Sequence, residues 1–294
     1  MLPAFLTTIF FSLSVIFAAR SARLVGGAAA NLGRMIVALI VLALWAHLIG
    51  RGLAGTSLPW FLASGCIGFG LGDIALFLAL TRIGPRLTIL LAQCLAAPFG
   101  ALAERLWLGT ELRGSQLACG AVILLGVIIA LAPEDRHLSV PSRVLWMGAL
   151  FGVLAALGQA LGAVISRKAY AVAQLEGLHI DGGTAAYQRM IGGILVTAIF
   201  LFVTQRFRSA TAKSHTERAW PWIVLNGLAG PAIGVGCYQW ALSSTPSGIV
   251  LPIVAATPVV TIPFAFLFEG DRPKPRSLIG GLVAVAGAVA LTCV

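Results

Sequence analysis

Apolar stretches, each roughly 17–24 residues long, alternate along the chain with short polar breaks. They fall at residues 3–19, 30–49, 58–81, 85–108, 114–132, 144–165, 184–204, 220–242, 247–268 and 277–293. Runs of this length read as helices that can cross about 30 Å of hydrocarbon at about 1.5 Å per residue. Lipid offers loose backbone groups no partner, so a helix is the expected form. The sharpest break is Pro133-Glu134-Asp135-Arg136-His137, with Pro141 just beyond. It separates five stretches from five. Residues 1–133 and 144–294 read as two halves, joined by a linker at 134–143.

The halves repeat one another. Trp60, Gly65, Gly68, Gly72, Ala79 and Leu80 recur as Trp222, Gly227, Gly230, Gly234, Ala241 and Leu242, always 162 residues on. Arg34-Met35-Ile36 returns as Arg189-Met190-Ile191, Pro98 as Pro258, and Gly120 and Gly126 as Gly281 and Gly287. Each half has an odd number of crossings, so the second enters the membrane upside down. The expected fold is an all-α polytopic membrane protein, with ten transmembrane helices as two inverted five-helix repeats. Secondary transporters often use this plan, with the solute site near the bilayer midplane.

Composition narrows the class. The 294 residues are 59% hydrophobic and 10% charged, with mean hydropathy +0.97, which leaves too little polar surface for a soluble globule. The net charge is +10, but the charges gather at the ends of the stretches. They suit topology and anionic membrane lipid, and no basic tract interleaved with aromatics suggests nucleic acid. Fourteen of the 20 Lys and Arg fall in loops after odd-numbered stretches, which makes those loops cytoplasmic and turns both termini outward. The first stretch lacks a basic leader and reads as a retained span. Arg exceeds Lys, and Ala and Gly abound, which points to a bacterial inner (cell) membrane. A monomer and a homodimer are both compatible with the sequence.

Cys66, Cys94, Cys119, Cys237 and Cys293 stand singly within stretches, and the four histidines lie apart near loops. No metal or other cofactor is expected from such a pattern. Walker, G-x-S-x-G and H-E-x-x-H motifs are absent from the sequence, so the chain is not expected to be an enzyme, and any energy must come from gradients.

Several motifs resemble the EamA domain of the drug/metabolite transporter superfamily, and the resemblance covers nearly the whole chain. They are Asn31-Leu32-Gly33-Arg34, the Gly-rich third stretch, Pro98, Leu108-Gly109-Thr110-Glu111-Leu112 and Gly120–Gly126. The second half adds Ala185–Arg189, Pro258, Phe268-Glu269-Gly270-Asp271 and Gly281–Gly287. The Leu-Gly-Glu often found closing the fourth span is altered, with Thr110 ahead of Glu111. The resemblance implies a carrier that moves small metabolites, often amino acids, frequently by export.

Candidate transport residues follow from polarity at depth. Asp73 is the one acid far from any stretch end, and a carboxylate there needs a cavity or a partner. It is the candidate for solute contact and for proton coupling, with a structural ion pair to Arg34 or Arg189 as the competing reading. Gln93, Gln159, Asn226, Tyr238, Gln239 and Thr257 are candidate solute contacts. Ser12, Ser14, Tyr187, Gln188, Trp240 and Thr261 could join them. Each can instead bridge helices. Gly72 and Gly234 end G-x-x-x-G motifs, and Gly148, Gly152, Gly158 and Gly162 form two more in the sixth stretch. Pro98 and Pro258 stand at matching places. These four, Gly72, Gly234, Pro98 and Pro258, are the expected hinges, against a plainer reading as packing and kinks. Glu104, Glu111, Glu269 and Asp271 read as loop acids in solvated salt bridges.

Three rivals remain open, the plainest a structural membrane scaffold, which a cavity too small for any solute would favour. An exchanger of nucleotide-linked sugars or lipid-linked intermediates needs deep cations, and a cavity lined by both Arg34 and Arg189 would favour it. An intramembrane enzyme acting on lipid needs a second convergent acid–base group beside Asp73.

Overall fold

The computed structural model describes residues 1–25, 27–131, 141–205, 216–269 and 275–293. It is 90% helix. The helices are α1 (Leu2–Val25), α2 (Gly27–Leu48), α3 (Leu58–Gly65), α4 (Asp73–Leu108), α5 (Gly114–Leu131) and α6 (Ser142–Leu175). They continue as α7 (Gly182–Gln205), α8 (Thr216–Gly227), α9 (Val235–Ser244), α10 (Ser247–Ala255), α11 (Thr257–Glu269) and α12 (Pro275–Thr292). Two π-helical segments join neighbours: Cys66–Gly72 links α3 to α4, and Leu228–Gly234 links α8 to α9. A helix stands at each of the ten expected places. Six helical segments among the described residues are long and apolar enough to cross a membrane: Leu2–Val25, Ala30–Leu48, Leu58–Ile83, Leu87–Leu108, Ser142–Leu175 and Ser247–Phe268. The expected linker lies outside the described residues, apart from its last three.

Two helices outrun their apolar stretches. α1 continues past Ala19 to Val25, and α6 past Ile165 to Leu175, so the gap between the sixth and seventh stretches, residues 166–183, shrinks to Glu176–Asp181. Arg20, Arg167 and Lys168 end the hydropathy signal, but Arg and Lys are good helix formers, so the backbone carries on.

α4 runs from Asp73 to Leu108, yet it is not one rod. A Cβ at Gly148, Gly158 or Gly162 of α6 would meet Ile83, Gly72 or Gly68, whereas one at Gly152 would meet Leu91, and Arg167 reaches Glu104. Along α6 the partners run backwards from Ile83 to Gly68 on one side and forwards from Leu91 to Glu104 on the other. The chain therefore doubles back between Ile83 and Leu87, at the break the sequence marks.

Helix ends have local causes. Gly109 takes φ 68° and returns its N–H to Arg105 O, closing α4 with the left-handed residue that glycine alone adopts cheaply. Asp181 caps α7: its Oδ1 accepts from the N–H groups of Gly183 (2.9 Å) and Thr184 (3.0 Å). Trp45 Nε1 of α2 donates to the same oxygen at 2.8 Å.

The packing suits lipid. Leu44, Leu106, Trp146, Leu267 and Leu282 face outward, while the buried positions are rich in Ala and Gly. Small residues let backbones approach, which is how helices associate where no hydrophobic effect separates them from solvent. A Cβ at Gly158 would lie 2.6 Å from Gly72 Cα, and one at Gly162 would lie 3.1 Å from Gly68 Cα. The two G-x-x-x-G motifs thus face each other across the seam between the first π-helical segment and α6.

Candidate functional site: a cavity between the two halves

A cavity of about 280 Å³ lies among the helices. Both halves line it. The first contributes Phe11, Ser14 and Val15 of α1, Arg34 and Met35 of α2, Gly68, Phe69 and Gly72 of the π-helical segment, and Asp73, Leu76, Ala92 and Gln93 of α4. The second contributes Ala155 and Gln159 of α6, Arg189 and Met190 of α7, Gly230 and Pro231 of the other π-helical segment, Val235 and Tyr238 of α9, and Thr257 of α11.

Asp73 opens α4 at the end of the first π-helical segment and faces this cavity. Among the described residues it has no ion pair within 4.0 Å; the two such pairs are Arg105–Glu111 and Arg167–Glu104. Arg34 and Arg189 line the same cavity without touching it. Arg34 Nε donates to Asn31 Oδ1 at 2.7 Å. Gln159 Nε2 donates to Gln93 Oε1 at 3.2 Å, so the two amides tie α6 to α4 on the cavity wall.

Other candidates sit behind the wall. Asn226 is buried and its Oδ1 accepts from Ser14 Oγ at 2.7 Å, so Ser14 reaches the cavity in its place. Gln239 is fully buried and off the lining, and both its amide atoms lack hydrogen-bond partners. Tyr238 lines the cavity, whereas Trp240 points outward. Tyr187 packs on His47, with ring centroids 5.4 Å apart, and Gln188 Nε2 donates to Gly52 O at 2.9 Å.

The prolines divide. Pro98 is exposed on the outer face of α4, and Pro258 is half-buried; neither lines the cavity. Pro258 removes the N–H that would bond Val254 O, and the hydroxyl of Thr257 donates to that carbonyl instead, at 2.6 Å. Ser12 of α1 donates to Thr257 O at 3.0 Å and Thr8 to Ile253 O at 3.2 Å, so hydroxyls satisfy the broken α10–α11 junction. Of the glycines, Gly72 lines the cavity, while a Cβ at Gly234 would meet the Phe11 ring at 2.7 Å.

Glu104 is corrected. It is not a solvated loop acid but is 1% exposed. Its Oε1 accepts from Arg167 Nε at 3.1 Å, and its Oε2 accepts from the N–H of Ser247 at 2.5 Å and from the Ser247 hydroxyl. Arg167 also donates to Leu242 O at 2.9 Å. The carboxylate sits on the N-terminus of α10, where free N–H groups and the helix dipole favour negative charge. Glu111 keeps the expected exposed pairing, 3.7 Å from Arg105. Asp271 and the Glu269 side chain lie outside the described residues.

Sequence reasoning singled out Arg34 and Arg189 as partners for Asp73 and as the deep cations an exchanger would need, and passed over Phe11, Phe69 and the π-helical segments. The available signal was that both arginines fall within matching Arg-Met-Ile triplets. Nothing in the sequence marks a π turn.

An apolar exterior and an all-helical body with six segments long and apolar enough to cross a membrane among the described residues define an integral multi-pass membrane protein. The chain belongs to the EamA-like transporter family, whose model matches residues 146–293. Members are transporters rather than enzymes, and their partner is a small molecule. A probable terminal-alkyne amino-acid exporter of Streptantibioticus cattleyicolor is 24% identical over 266 residues, covering 90% of this chain and 83% of that protein. A solved crystal structure superposes with TM-score 0.77 at 17% identity, covering 99% of this chain and 96% of that one, and so shares the fold.

Proposed function

We propose that this protein is a secondary carrier that exports small metabolites such as amino acids from the bacterial cytoplasm across the inner membrane. Its ten crossings form two inverted repeats, residues 1–133 and 144–294, joined at 134–143. The observation that carries the reading is the cavity, to which both halves contribute matching elements. Exchanged contacts support the inversion. α5 packs on α12, where a Cβ at Gly126 would meet Ala284 and one at Gly287 would meet Ile123, the same contact with the copies swapped. The π-helical segments recur 162 residues apart and both line the cavity.

Solute binds between the halves, against Asp73, Tyr238, Thr257 and the Gln93–Gln159 pair, with Asn226 acting through Ser14 and Gln239 buttressing α9. The halves then rock about the glycine seams at Gly72 and Gly234 to change access. Pro98 and Pro258 shape the fourth and ninth crossings from outside the cavity wall. Asp73 exchanges a proton as the solute moves. In proteoliposomes, amino-acid efflux is expected to respond to a pH gradient, and Asp73→Asn to abolish that response. Equal flux of both proteins at every pH would remove Asp73 from the mechanism.

The rival exchanger of nucleotide-linked sugars draws support from one observation, that Arg34 and Arg189 both line the cavity. Its volume, about 280 Å³, argues the other way, because it falls just below the roughly 300–1,000 Å³ typical of small-molecule sites.

A further inference from the structure

Arg189 is 4% exposed, and its guanidinium makes no hydrogen bond or ion pair among the described residues. Its Nε and Nη1 are fully shielded and unpartnered. A buried charge in that state costs several kcal/mol, on the order expected for an ion taken out of water without a counter-charge. The surroundings hold it there rather than expel it. The guanidinium lies 5.0 Å from the centroid of Phe69 and 5.9 Å from that of Tyr238, so two ring faces flank it. A Cβ at Gly68 would stand 3.0 Å from Nη2, and one at Gly162 3.3 Å. The facing glycines therefore leave the space the side chain fills, and larger residues there would displace it.

A donor stands beside the same group. The hydroxyl of Tyr238, which lines the cavity, is buried without a partner, and that of Tyr170, off the lining, is likewise unpartnered. Hydrogen-bond donors of this kind, with no protein acceptor, suit an anion arriving from the cavity that Arg189 lines. Asp73, which lines the same cavity, contributes the complementary charge and makes no ion pair with the guanidinium within 4.0 Å.

We propose that Arg189 is the anchor for the carboxylate of the transported solute, with Asp73 receiving its ammonium group, so that the cavity selects zwitterions end for end. The assignment rests on the carrier reading above. Arg34 is less suited to the role, because its Nε is already held by Asn31. The fork of a guanidinium matches the two oxygens of a carboxylate, whereas a carboxamide has one acceptor and no charge.

The test uses the full chain in proteoliposomes loaded with the protein amino acids and, separately, with their primary carboxamides and with sugar phosphates. At least one amino acid is expected to leave well above protein-free vesicles, and its carboxamide about ten-fold or more slowly. Arg189→Gln is expected to erase that difference. Should Arg189→Gln fail to fold, Arg189→Lys keeps the charge without the fork, and is expected to slow acid efflux while sparing the amide. Equal flux of acids and amides in the wild type, or discrimination that survives both substitutions, overturns the anchor but leaves the carrier standing. Efflux of sugar phosphates with no amino acid overturns it in favour of a phosphate site. Efflux of no solute in any set sinks the carrier reading and the anchor with it.

Discussion

Two carboxylates within the helical body have opposite circumstances. Asp73 faces a cavity and touches no cation, while Glu104 is enclosed by an arginine, a hydroxyl and a backbone N–H. Removing one member of a buried network leaves the others unpaired, which is where its energetic weight lies. Glu104→Ala is therefore expected to destabilise the detergent-solubilised protein by about 3–5 kcal/mol. Glu104→Gln, which keeps an acceptor, should cost less. Thermal or denaturant unfolding of the two variants checks the order. Asp181, at the loop before α7, gives a pH signature. Partial burial pushes its carboxyl up, but hydrogen bonds from Thr184, Trp45 and Gly183 outweigh this and hold it below its ordinary value. A carboxyl with a depressed folded value stabilises the fold fully above its unfolded value of about 3.9, and that contribution fades as pH falls through the folded value. Unfolding followed from pH 6 to pH 2 is expected to show the wild type losing stability below about pH 4. Asp181→Ala should start lower by roughly 0.5–2 kcal/mol and lose less over the same range.

At the scale of elements, glycine spacing decides where helices touch. The motif in the third stretch and the motif in the sixth meet face to face, Gly72 on Gly158 and Gly68 on Gly162. A methyl at Gly158 runs into backbone, which cannot yield as a side-chain tip can. Gly158→Ala is thus expected to destabilise by about 1–3 kcal/mol. Gly236→Ala, in α9, meets nothing within 4 Å and should stabilise by about 0.4–1 kcal/mol through the unfolded chain. Melting temperatures in one detergent, measured side by side, would expose a reversed sign. Packing by these glycines was legible in the sequence, but their partners were not, because a spacing of four names a face without naming what lies across it. The proline expectation shows the same limit from the other side. Pro98 and Pro258 match by position, yet Pro98 turns to the exterior, and hydroxyls from Thr257, Ser12 and Thr8 satisfy the carbonyls at the break before α11. Side chains many residues away, such as Ser12 on Thr257, leave no local trace.

For the whole molecule, pairing crosses between the halves. α6 lies against α4 while α1 lies against α10 and α11, and α7 meets the first π-helical segment while α2 meets the second. The sequence by itself determined the number, order and duplication of the apolar stretches, because hydrocarbon permits a crossing chain few backbone solutions and each requires a long apolar run. Only the tertiary structure decided which polar groups share the central cavity. Asp73, Arg189, Gln93 and Gln159 turn inward, and Glu104 is sealed beneath α10. A helix presents every residue to some direction, and the neighbour that packs against it chooses which direction is inside.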